Sequence, residues 1–192
     1  EFLDVKATTG GKHIVSVGGL DDRKGMDTVI RALAKIQDKE PTLSIVGSGP
    51  SLGHLKQLAS DLGVADRVEF SGFADQAGVM EQLSRASVYV IGSRMDTSPN
   101  VVTEAHAAGL PVVGTRAGGI PEMIADGVDG YHVDIDDDEG MARKVEELLA
   151  NPLRGKRMGD AGREKVRVEN APLRVAEAHV EFFKRINHEL GC

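Results

Sequence analysis

Short apolar runs, most of them ending at glycine, alternate along this chain with longer stretches whose apolar residues fall three and four apart. Residues 13–18, 43–47, 67–72, 87–92, 111–115 and 130–133 have the length and β-branched content of buried strands. Between them, 25–38 (with Val29, Leu33 and Ile36 on one stripe), 52–62, 76–84 and a short 120–125 read as helices. After the fourth strand a loop from Asp96 runs into a further helix. Pro99 suits its first turn, Val101, Val102, Ala105 and Ala108 follow at helical spacing, and Gly109 with Pro111 ends it. From Glu139 to Leu190 the pattern is helical throughout, broken near Pro152 and Pro172.

Strands separated by helices in this rhythm specify a parallel α/β sheet with helices on both faces, Rossmann-like. No repeat, low-complexity tract or internal linker interrupts it, so residues 1–192 read as one domain, its C-terminal helices over 153–190. The first strand begins close behind Glu1, as expected of a piece of a longer protein. A formal charge of −7 argues against nucleic-acid partners and against broad contact with anionic membranes. The one cysteine, Cys192, allows neither a disulfide framework nor a cysteine-based zinc site within the chain. No apolar run approaches the roughly 18–20 residues of a membrane span. A cytoplasmic location is the expectation, with peripheral membrane association of the full-length protein left open.

In such sheets ligands bind beyond the carboxyl ends of the strands. The loops there are 18–25, 47–51, 72–76, 92–100 and 115–121, and they hold most of the unusual chemistry. Asp96 lies just before the fourth helix and Glu104 about a turn inside it, with the amides of Asn100, Val101 and Val102 between them. A helix start with open N–H groups attracts anions, and flanking carboxylates hold sugar hydroxyls, which points to a phosphorylated, hydroxyl-rich ligand. Gly18-Gly19 with Arg23 and Lys24 adds glycines for close backbone approach and cations for a phosphate. Taken alone, that loop reads better as a βα turn with a solvated basic pair than as a phosphate site. Gly47-Ser-Gly-Pro50 is half of a dinucleotide fingerprint, with Leu52 where the third glycine belongs. The acids of 134–139 lead into a helix, so capping and solvation explain them better than a metal. His106 reads as a packed or partly exposed histidine. No Gly-x-Ser-x-Gly elbow supports a triad hydrolase.

Together the ordered segments Val17-Gly-Gly-Leu…Lys24-Gly25, Ile45-Val-Gly-Ser-Gly-Pro50, Val68-Glu-Phe-Ser-Gly-Phe73, Asp96-x₇-Glu104…Gly109-x-Pro111, Gly118-Gly119-Ile-Pro-Glu122 and Asp126-Gly127…Gly130 resemble the donor half of a retaining family 4 (group 1) glycosyltransferase of the two-domain GT-B fold. The resemblance covers residues 13–150. It implies that Glu104 binds the donor ribose, and that Asp96, where the family has glutamate, orients the transferred sugar. It also implies that the amides of Asn100 and Val101 hold the distal phosphate and that Lys24 neutralises the diphosphate. Gly19 stands where the family carries an arginine, with Arg23 a candidate substitute, and Phe73 and Ala74 fall in the base-contacting loop. Lys24 and Asp96 are thus the expected catalytic residues. No metal and no cofactor is expected, the donor being a nucleotide diphosphate sugar. The loop does not choose among uridine, guanosine and adenosine; a UDP-sugar is the working donor and a hexosyl group the cargo. An N-terminal acceptor-binding domain should precede residue 1, the helix over 172–190 packing back toward it. The isolated chain should then bind nucleotide weakly and not turn over. Competing readings are a non-catalytic nucleotide-sugar-binding module or subunit, half of a GT-B nucleotide-sugar 2-epimerase and, less well matched, a dinucleotide-dependent oxidoreductase.

Overall fold

The computed structural model describes residues 2–4 and 10–169, and the helix expected over 172–190 lies outside them. The strands are β1 (His13–Val17), β2 (Thr42–Val46), β3 (Val68–Gly72), β4 (Val88–Ile91), β5 (Val112–Thr115) and β6 (Gly130–Val133). They form one sheet of six strands in the order β3-β2-β1-β4-β5-β6, and every neighbouring pair is parallel. Successive residues of each strand point to opposite faces, and both faces are covered. Ile14, Val88 and Val90 pack toward α1 (Met26–Lys35), α2 (Leu52–Asp61) and α6 (Asp138–Ala150). Val15, Tyr89 and Ile91 pack toward α3 (Gln76–Arg85), α4 (Asn100–Ala108) and α5 (Ile120–Met123). The α/β sheet with helices on both faces is therefore as the sequence pattern specifies. No helix of the described residues is long and apolar enough to cross a membrane.

Helix boundaries follow local chemistry. Asp75 accepts a bond from the Gly78 amide at 2.9 Å and starts α3, while Asp137 does the same for Gly140 at 2.8 Å and starts α6. Two further acids of that run, Asp138 and Glu139, both meet Lys35, at 2.7 and 3.0 Å. Pro99 is the residue before α4 rather than part of its first turn, with extended backbone (φ −71°, ψ 108°). The third strand starts at Val68, not 67, because Ala65–Arg67 closes a 3₁₀ turn. The helical stretch after Asn151 is α7 (Pro152–Glu169), which lies against α4. There His106 is buried, its Nε2 3.7 Å from Asp129, and Lys165 reaches the same carboxylate at 3.3 Å. Burial holds the His106 imidazole below its ordinary pKa.

The strand order turns back between β1 and β4. Their following loops diverge to opposite faces and leave a crevice at the carboxyl edge, where doubly wound sheets hold ligands.

Candidate functional site

That crevice is built on close backbone contact. Gly25 has φ 58°, and a Cβ there would run into the Gly92 carbonyl, so the start of α1 and the end of β4 touch main chain to main chain. The Arg23 carbonyl, one residue ahead of Lys24, accepts the Arg94 amide at 2.7 Å. From the other side, the amide of Gly119 donates to the Asp96 carbonyl at 3.0 Å, and a Cβ on Gly118 would strike that same oxygen. Thr115 Oγ1 donates to the Ser93 carbonyl at 2.5 Å. The loop carrying Asp96 is therefore held by both neighbouring loops.

Within this frame the two expected catalytic side chains meet. Lys24 Nζ lies 2.6 Å from Asp96 Oδ2, with the carboxylate only 11% exposed and the lysine 30%. Ser93 Oγ stands 3.5 Å from the same oxygen. A charge-assisted contact of this length, partly shielded from water, orients both groups. Asp96 precedes α4, whose first amides at Asn100 and Val101 have no partner within the helix. The Val102 amide, expected to be open with them, is instead taken by the Pro99 carbonyl at 3.0 Å, because the chain closes a tight turn as it enters the helix.

Glu104, on the fifth residue of α4, is half-buried, and its carboxylate has no ion-pair or hydrogen-bond partner among the described residues. Burial raises its pKa above the ordinary glutamate value. An ionised acid kept half-buried without a cation costs stability unless a ligand donates to it. The linkage has a definite sign. With the folded pKa raised, the cost is absent below the unfolded pKa and complete above the folded one. Glu104→Gln should therefore melt at a higher temperature than the parent at neutral pH, and the gain should vanish as pH falls through the raised pKa. Melting curves that differ equally at pH 4 and pH 7 would contradict this.

The remaining candidates are spread along the same edge. Gly19 is exposed. The Arg23 guanidinium, 70% exposed, is paired with Asp21 two residues back at 2.9 Å. Phe73 is 81% exposed beyond β3, with Ala74 partly buried behind it. Arg116 makes only a loose approach to Asp134, at 3.9 Å. Among the described residues, no group of three or more His, Cys, Asp and Glu is arranged to hold a metal ion. A hollow of about 320 Å³ lined by Ser87, Pro111, Lys156 and Asp160 opens at the amino ends of β4 and β5, the opposite edge from these loops. The arginine that sequence reasoning misses is Arg94. It donates to Asp27 at 3.0 and 2.8 Å and to Asp136 at 2.8 Å. Those partners lie 67 and 42 residues away, so no local spacing announces it.

Comparison with known proteins matches residues 4–165 to the family described as "Glycosyl transferases group 1". A lipopolysaccharide core biosynthesis glycosyltransferase, LpsE of Rhizobium meliloti, is 33% identical over 88% of this chain and 48% of its own length. A GDP-mannose-dependent alpha-(1-6)-phosphatidylinositol monomannoside mannosyltransferase of Mycolicibacterium smegmatis is 39% identical over 78% of this chain and 42% of its own. The chain thus spans just under half the length of these curated relatives. Among solved structures, Anabaena HepE in complex with UDP and glucose superposes with a TM-score of 0.80 at 21% identity, over 91% of this chain and 48% of that one. At that identity the likeness speaks for the fold.

Proposed function

This chain belongs to the group 1 glycosyltransferases, and from that premise we propose that it is the donor-binding domain of a longer, two-domain GT-B enzyme. That enzyme transfers a hexosyl group from a nucleotide diphosphate sugar with retention at the anomeric carbon. The observation that carries this reading is the shielded Lys24–Asp96 pair beside the open amides of α4, with the unpartnered Glu104 one turn further on. Glu104 accepts the ribose hydroxyls, Asn100 and Val101 amides hold the distal phosphate, Lys24 meets the diphosphate, and Asp96 takes hydroxyls of the sugar. Phe73, Ala74 and Gly19 line the base and phosphate path, and Arg23 joins it on leaving Asp21. In the transfer, the bond from the anomeric carbon to the diphosphate oxygen breaks and a bond to the acceptor oxygen forms on the same face. The acceptor proton passes to the departing phosphate. Charge grows on that phosphate, where Lys24 and the helix start stabilise it without a metal or other cofactor. HepE's complex contains UDP and the mannosyltransferase's name specifies GDP-mannose, so a UDP-sugar and a GDP-sugar are the two donors to test first. The acceptor sits mainly on an N-terminal domain, consistent with the half-length match, so the isolated chain binds donor without turnover. A cytoplasmic site of action follows from the supply of nucleotide sugars.

A thermal-shift panel of UDP, GDP and ADP with their common sugars tests this. At a hundredfold excess over Kd, binding stabilises by about 2.7 kcal/mol, or roughly 5–10 °C at this chain length. Glu104→Ala should weaken nucleoside diphosphates, and Asp96→Ala mainly the intact nucleotide sugars. No shift with any of them in folded protein would sink the donor site. Equal losses for both ligand types in both variants would remove the assigned roles.

A further inference from the structure

We propose that Arg94, clamped between Asp27 and Asp136, is a positioning residue that sets the Lys24–Asp96 pair for the donor diphosphate; this rests on the donor-site reading above. Arg94 belongs to the loop between β4 and α4, two residues before Asp96. Its guanidinium forks onto both oxygens of Asp27 on α1, at 3.0 and 2.8 Å. It also donates through Nε to Asp136, before α6, at 2.8 Å and through Nη1 to the Asp22 carbonyl at 2.7 Å. Its backbone amide completes the lock by binding the carbonyl of Arg23, the residue bonded to Lys24. One side chain therefore joins three loops, and both members of the Lys24–Asp96 pair lie within two residues of its anchor points.

Asp136 adds an independent sign. It is the only non-glycine residue among those described with positive φ, 63°. A left-handed aspartate persists where its surroundings over-determine it. Here its carboxylate meets Arg94 and, at 3.1 Å, Thr28 Oγ1. The clamp also demands arginine, because only a planar fork bonds two carboxylates and a carbonyl at once, whereas a lysine offers one point charge.

The chain is titrated calorimetrically with UDP and UMP, and with GDP and GMP, as wild type, Arg94→Lys and Asp136→Asn. Asparagine tolerates the left-handed backbone, so the second variant removes charge without refolding position 136. Both variants should lose about tenfold in diphosphate affinity, the scale of one misplaced charged hydrogen bond. Monophosphate affinity should stay within about twofold, since Glu104 and the base loop are left in place, and the double variant should lose less than the product of the two. Diphosphate binding equal to wild type in both variants overturns the role of Arg94 while leaving the donor site standing. Parallel losses of diphosphate and monophosphate that track melting temperature also overturn it, leaving a structural ion pair. Failure of wild type to bind any of the four nucleotides, and ADP and AMP as well, overturns the donor reading itself.

Discussion

Sugar transfer by the full-length protein is expected to fall about 10²–10³-fold in Lys24→Ala, the range for losing one preorganised group that meets transition-state charge. Two effects combine. The cation proposed to face the departing diphosphate is removed, and Asp96, only 11% exposed, is left as an uncompensated carboxylate beside the proposed phosphate path. The second effect repels the ligand as well as withdrawing an attraction. For that reason the consequences of Lys24→Ala and Asp96→Ala should not add. Nucleoside diphosphate binding by the double variant should be tighter than by Lys24→Ala alone, because removing both charges leaves no unpaired carboxylate to repel the phosphates. Turnover separates the groups in another way, since Lys24→Ala should lower kcat and kcat/KM together. Unchanged turnover in Lys24→Ala, or strictly additive binding losses, would remove Lys24 from the site.

Gly25→Ala should unfold the protein more readily than any polar change at the site. The left-handed backbone at φ 58° costs a residue with a Cβ about 1–2 kcal/mol. The Cβ would also enter the carbonyl of Gly92, which is main chain at the end of β4 and cannot rotate away. Overpacking of this kind adds about 1–3 kcal/mol. A total on the order of 3 kcal/mol lowers Tm by about 10 °C for a chain of this size. Gly53→Ala is the matched control. Gly53 lies in α2, and a methyl group there would have open space, with nothing within 4 Å of it. Alanine at that position should therefore leave Tm unchanged or raise it. Equal effects at the two glycines would show that the contact between the first and fourth loops is not what holds the crevice together.

The same contact marks the limit of what is legible along the chain. Strands and helices are readable because burial on both sheet faces imposes continuous apolar runs on strands, and one-sided burial imposes a stripe on helices. Asp75 and Asp137 act as helix starts through a relation that spans only three residues. Phe73, Asp96 and Glu104 stand out through ordered motifs in the strand-end loops and the first turns of α4. The Val102 amide is misjudged from sequence because the turn at Pro99 depends on the path of the preceding loop. Arg94 escapes notice for a stronger form of the same reason, its acids being far away in sequence.

Sequence by itself determined the alternation of strands and helices, the edge of the sheet at which chemistry collects, and the identity of the charged groups there. Each of these rests on short-range periodicity or on residue type. Only the tertiary structure decided that Lys24 bonds Asp96, that Glu104 stands without a partner among the described residues, and that Arg94 takes the central place between Asp27 and Asp136. Such pairings arise where loops from β1, β4 and β6 are brought side by side at a crossover, and a linear pattern carries no record of that distance.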